Sequence, residues 1–149
     1  MFKHLLIATD GSELGNKALA TGLALARLNQ AEVTIITATD PVSTGIGSGG
    51  FGTIDAGTLV ARLEEAYAIE AKELLEKARK QSQDAGITAQ TLHLPRHHPA
   101  DGILETVAER ACDLIVMGSH GRRGLSRLML GSQAAEVLAR ASVPVLIVK

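Results

Sequence analysis

Residues 113–132 read DLIVMGSHGRRGLSRLMLGS. The apolar run from Asp113 to Met117 has the length and composition of a buried strand. Gly118 ends it, Gly121 follows, and Gly131 stands directly before Ser132, a G-x2-G-x9-G-S spacing. Glycine at the end of a buried strand lets the backbone turn and approach a ligand without Cβ clashes. Gly131 and Ser132 then open an amphipathic helix, predicted from Ser132 to Ala141. The free N–H groups and positive end of that helix would face the loop, an arrangement suited to an anion and most naturally to phosphate. The plain alternative is turn punctuation, since the chain has 15 glycines. A strand before the pattern and a helix after it favour the phosphate cradle.

Working outward, β and α patterns alternate along the chain. Leu5 to Ala8 is a short apolar run closed by Thr9-Asp10-Gly11-Ser12. Asp10 or Ser12 can cap the helix that follows, and Asp10 with Glu13 has capping-box spacing. Leu14, Ala18, Leu25 and Leu28 mark one face of that helix, which reaches Asn29. Val33 to Thr39 reads as the second strand. Residues 40–57 follow, with Gly45, Gly47, Gly49, Gly50, Gly52 and Gly57, and read as a mobile loop rather than a domain boundary. Leu59, Leu63, Ala66, Leu74 and Ala78 mark a long second helix closed by Gly86. Ile87 to Leu94 is the third strand, ended by Pro95. A helix from about Ala100 to Ala111 turns Ile103, Leu104, Val107 and Ala108 inward. Val143 to Val148 is the fifth strand.

Such alternation with apolar strands implies one α/β domain over residues 1–149: a doubly wound, five-stranded parallel sheet with helices on both faces. Ligands in open sheets of this kind bind where the winding reverses. The order 3-2-1-4-5 places that reversal between strands one and four, bringing Asp10 beside Gly118. The order 2-1-3-4-5 would place strand three beside strand one. The first order is preferred because it gathers the two loops that carry chemical residues.

Composition narrows the function. The chain is 46% hydrophobic but only 2% aromatic, so its core is built from Leu, Ile, Val and Ala. A net charge of −1 provides no basic field for nucleic acid. The lone Cys112 reads as a buried small hydrophobe rather than a nucleophile. Residues 1–10 hold a run too short for a secretory signal, and no stretch reaches membrane-spanning length. A cytoplasmic protein is expected.

His120, Arg122, Arg123 and Arg127 lie between the cradle glycines. Arginine can grip phosphate bidentately, and Arg122 is the candidate, against the alternative of a solvated loop residue. His93, His97 and His98 lack further ligands at metal-binding spacing and read as exposed loop histidines. Glu64 to Glu76, interleaved with Lys72 and Lys77, reads as a solvated helix face. Asp10 is the available carboxylate for Mg²⁺ near phosphates, with water completing the shell. The chain has no P-loop lysine motif, no GxGxxG after its first strand, no aspartate ending strand three and no nucleophile elbow.

HLLIATDGS (4–12), MGSHGRRGLSRLMLGS (117–132) and VPVLIVK (143–149) together resemble the universal stress protein family over the whole length, and its ATP-binding branch in the glycine pattern. The resemblance implies that Asp10 meets the ribose or base and that Ala38 lies against adenine. Met117 and Gly118 would line the nucleoside, while Gly121, Gly131, Ser132 and the Gln133 amide hold phosphates. Gln133 stands where relatives often carry an apolar residue. The family's fold also implies the 3-2-1-4-5 order. The expected function is an ATP-binding (or ADP- or AMP-binding) stress-response sensor or regulator. Its rivals are a slow Mg²⁺-dependent ATPase or phosphotransferase, and a nucleotide-independent dimeric interaction module. An apolar edge strand at Val143 to Val148 needs cover, and both that edge and the resemblance imply a homodimer paired through it. Docking to another protein is compatible with this reading.

Overall fold

Continuous apolar strands need cover on both faces, and two layers of helices supply it. The computed structural model describes residues 1–43, 55–122 and 129–149. In chain order the elements are β1 (His4–Ala8), α1 (Glu13–Asn29), β2 (Glu32–Thr39), α2 (Ala56–Asp84), β3 (Ala89–Pro95), α3 (Pro99–Arg110), β4 (Leu114–Gly118), α4 (Ser132–Arg140) and β5 (Val145–Val148). The sheet is parallel in the order β3-β2-β1-β4-β5, as expected. The winding reverses between β1 and β4, where Leu5 pairs with Leu114 and Ile7 with Val116.

Alternation along each strand divides the core. Leu5, Ile7, Val33, Ile35, Leu114 and Val116 pack with α1 and α2. Leu6, Ile36, Ile115 and Met117 pack with α3 and α4 on the other face, together with Cys112. Burying each large aliphatic side chain contributes about 1.5–3 kcal/mol.

Several expected faces are corrected. The buried stripe of α1 runs through Gly15, Ala18, Leu19, Gly22, Leu23 and Ala26, leaving Leu28 82% exposed. Gly22 decides this face, because a Cβ there would lie 2.6 Å from Ile7 Cδ1, so the helix sits directly on β1. In α3, Ile103 and Val107 are buried but Ala108 is exposed. In α2 the buried residues Ala71, Leu75, Ala78 and Ser82 all lie in the C-terminal half. Leu59 and Leu63 are half-buried and Ala66 is exposed. The reason is length: 29 residues of helix span about 43 Å, whereas the seven residues of β3 span about 23 Å. The N-terminal part of α2 therefore overhangs the sheet.

Boundaries shift as well. Asp55 caps α2 and its side chain accepts from Gly57 N, so Gly57 belongs to the helix and not to the loop; Gly45, Gly47, Gly49, Gly50 and Gly52 lie outside the described residues. Gly86, just past the end of α2, has φ +74°, the left-handed turn expected of it. β3 starts at Ala89 rather than Ile87 and takes in Pro95, while β5 starts at Val145 rather than Val143. Pro144 sits just outside β5, where its carbonyl accepts Ile115 N at 3.0 Å.

Candidate functional site

The chain turns sharply after β1. Gly11 has φ +75°, a conformation glycine adopts without Cβ strain. Ser12 caps α1, its hydroxyl accepting from Gly15 N at 3.1 Å. Asp10 is therefore not the cap; it supports the cap. Its Oδ1 accepts from Ser12 N at 3.0 Å and from the Ser12 hydroxyl at 2.5 Å.

The other carboxylate oxygen of Asp10 reaches across the switch point. Oδ2 accepts the Arg122 backbone N–H at 2.8 Å, and a Cβ on Gly121 would lie 2.8 Å from that oxygen. A side chain on Gly121 would displace Asp10 Oδ2 from the Arg122 N–H that joins the β4 loop to β1. Gly131 is constrained more firmly, by backbone rather than by a side chain. Its N–H donates to Ser119 O at 2.8 Å, and a Cβ there would lie 2.9 Å from the same carbonyl. With φ −64°, the requirement at Gly131 is close approach, not a positive φ.

Gly131 is the N-cap of α4, and among the described residues no side chain caps that helix. Its first-turn N–H groups keep their donor capacity and the positive end of the helix dipole. The neighbouring N-terminus of α3 is different. Pro99 has no N–H to satisfy, and the Ala100 N–H is taken by Gln133 Oε1 at 2.9 Å. The α3 end receives a side chain from α4, whereas the α4 end has no side-chain cap among the described residues.

These elements enclose a cavity of about 750 Å³ above the C-terminal ends of β1, β2 and β4. Asp10, Ala38, Met117, Gly118, His120, Gly121, Arg122, Gly131, Ser132 and Gln133 all line it, so the tertiary structure gathers every expected site residue. Arg123 and Arg127 lie outside the described residues. Ile36, Ala38, Pro99, Ile103 and Met117 form an apolar wall, and the glycine loop and the start of α4 form a polar end. The volume falls within the roughly 300–1,000 Å³ range of small-molecule sites.

Other lining residues had no signal in sequence spacing. Tyr67 and Glu70 come from the overhanging half of α2, and Asp40 and His98 from the ends of β2 and α3. Glu70 is more than a solvated charge: its Oε1 pairs with Arg122 Nη1 at 2.5 Å. His120 Nδ1 and the Ser119 hydroxyl are 3.0 Å apart.

The histidine group is revised in part. His93 lies in β3, not in a loop, with Nε2 2.9 Å from the Thr39 hydroxyl; burial lowers its pKa. His97 pairs with Glu105 at 3.2 Å and His98 with Asp40 at 3.0 Å. Among the described residues, no three His, Cys, Asp or Glu side chains are grouped to hold a metal ion. Among the same residues, no helix is long and apolar enough to cross a membrane.

Fold and cleft define a doubly wound α/β protein with an anion-compatible site at its switch point. The chain matches the sequence model of the Universal stress protein family over residues 1–149. It is 34% identical to universal stress protein MJ0531 of Methanocaldococcus jannaschii, covering 100% of this chain and 83% of that protein. It is 33% identical to universal stress protein YxiE of Bacillus subtilis, with both chains covered completely. Among solved structures, that of MJ0577 superposes with a TM-score of 0.83 at 29% identity, covering 100% of this chain and 96% of the other. A universal stress protein in complex with cAMP gives a TM-score of 0.72 at 27% identity, covering 99% and 97%. One from Archaeoglobus fulgidus in complex with dAMP gives 0.67 at 25%, covering 100% and 98%. The chain belongs to the universal stress protein family.

Proposed function

We propose that residues 1–149 act as a single adenine-nucleotide-binding domain, with ATP as the ligand and ADP or AMP as alternatives, in a cytoplasmic stress-response sensor or regulator. The observation that carries this reading is the N-terminus of α4, without a side-chain cap among the described residues, beside Gly131, whose lack of a side chain lets the backbone close against Ser119 O at 2.8 Å. Free N–H groups at a positive helix end suit phosphate, and the adjoining apolar wall suits a purine. The cAMP and dAMP complexes of the two structural relatives support the adenine class.

In this reading Ala38, Met117 and Gly118 line the nucleoside. Gly121, Gly131 and Ser132 hold the phosphates, with His120, Arg122 and the Gln133 side-chain N–H₂ as further donors. Asp10 is the candidate contact to ribose or base. Its Oδ2 accepts one described hydrogen bond, which leaves acceptor capacity for Mg²⁺, and bound Mg²⁺ would neutralise phosphate charge. Asp10 already anchors Ser12 and Arg122, and this supports a site that holds nucleotide more readily than it hydrolyses it. A homodimer through the β5 edge completes the proposal. It is supported by half-buried Val145, Leu146 and Ile147 on a strand that pairs with β4 alone among the described strands.

Mass spectrometry of protein purified without added nucleotide, followed by calorimetric titration, tests the reading. An adenine nucleotide carried through purification, or a saturable ATP isotherm, is the expected result. Absence of both removes the proposal. Single-turnover assays with Mg²⁺ are expected to show little ADP formed; turnover near the ~10 s⁻¹ of ordinary enzymes would identify an ATPase instead.

A further inference from the structure

Glu70 conflicts with the chemistry of a polyphosphate site. It lines the same cavity as the open α4 N-terminus, where a carboxylate repels an incoming polyanion. Its observed partner offsets that charge: Arg122 Nη1 donates to Glu70 Oε1 at 2.5 Å.

The rest of Arg122 is held in place. Its backbone N–H donates to Asp10 Oδ2 and its Nε–H to Asp10 O, both at 2.8 Å. The guanidinium passes over Gly11, with Nη2 3.4 Å from where a Cβ would stand. With Nε and the backbone anchored, the outer edge is the part of the group left to exchange partners. The ion pair there is about half exposed, at 51% and 53%, so it contributes little by itself and is readily exchanged. The fork that accommodates a carboxylate accommodates a phosphate equally well.

We infer that Glu70 is a specificity-determining residue that occupies the phosphate-binding edge of Arg122 and so sets how strongly the site distinguishes nucleoside triphosphates from monophosphates. This rests on the nucleotide reading above. A triphosphate carries more charge toward Glu70 and gains more from Arg122 than a monophosphate does. Its binding exchanges the carboxylate for a phosphate on the same guanidinium edge, and α2 then loses its ion pair with the β4 loop.

The test is calorimetric titration of AMP and ATP in Mg²⁺-free buffer, on wild type, Glu70→Gln, Arg122→Gln and the double variant. Glu70→Gln is expected to tighten ATP about fivefold and AMP less than about twofold, and Glu70→Ala is expected to repeat the pattern. In the Arg122→Gln background the competition for the guanidinium is gone and only the screened repulsion from a half-exposed carboxylate remains, so the Glu70→Gln gain for ATP is expected to fall below about twofold. Equal tightening of AMP and ATP, no tightening, or a full gain without Arg122 would each overturn the inference while leaving nucleotide binding intact. A wild-type protein that binds neither nucleotide overturns both.

Discussion

The side-chain oxygen of Gln133 accepts the Ala100 backbone N–H at 2.9 Å, joining the first turns of two helices that start 33 residues apart in sequence. This bond orients the Gln133 amide: an N–H donor on Ala100 requires the oxygen, which leaves the Gln133 N–H₂ as the donor end. A residue expected to hold phosphate is thus also the cap of α3. The bond makes the position of the α4 start dependent on α3.

Two substitutions separate these roles. Gln133→Leu leaves the Ala100 N–H without its acceptor and should lower stability by about 1 kcal/mol, measured as a shifted midpoint in urea. Gln133→Glu keeps an acceptor for Ala100 and brings negative charge to a helix N-terminus, so stability should hold. The same charge repels phosphate, and ATP affinity should drop. Equal stability of Gln133→Leu and wild type would show that the cap contributes nothing.

Gly131→Val should weaken ATP binding at least ~10-fold, a loss of about 1.4 kcal/mol, with helical content intact by circular dichroism. The cause is steric. A Cβ 2.9 Å from Ser119 O pushes the start of α4 away from the β4 loop, while φ −64° is acceptable to valine. Unchanged ATP affinity in a folded variant would contradict the proposed cradle.

Asp113 should give the fold an acid limit. Burial raises its pKa, but hydrogen bonds from the Lys3 and His4 amides outweigh this and lower it overall. These bonds, at 2.8 and 3.0 Å, tie the starts of β4 and β1 together. Because the folded pKa lies below the unfolded value of about 3.9, the stabilisation is present above that value. It is lost as pH falls through the folded pKa. Urea midpoints measured from pH 6 downward should fall more steeply for wild type than for Asp113→Asn. Parallel curves would show that the carboxylate is not the group responsible.

Leu146→Pro should dissociate the proposed homodimer. Pro144 O and Val148 O both accept from β4, so the Leu146 N–H between them faces β4 too; proline there removes that donor and loosens the edge strand that a partner would pair with. Light scattering at micromolar concentration should give twice the chain mass for wild type and the single chain mass for the variant. A wild-type protein that remains a monomer across that range would exclude pairing through β5 and leave the cleft unaffected.

The architecture was legible in the sequence because its signals are local. Continuous apolar strands between helix-period segments specify a parallel, doubly wound sheet, and the 3-2-1-4-5 order follows from placing Asp10 beside Gly118. The same locality explains how the glycine pattern marked Gly121 and Gly131 before any contact was visible. Periodicity names an apolar face without saying what lies opposite it. Only the tertiary structure leaves Leu28 and Ala66 in solvent, shifts the α1 face so that Ala18 stays in it while Gly15 and Gly22 join, and carries the first half of α2 past the sheet. The Glu70–Arg122 and Gln133–Ala100 pairs belong to the same class. They join polar groups 52 and 33 residues apart, and no spacing rule relates such residues until the sheet has brought the helix ends together.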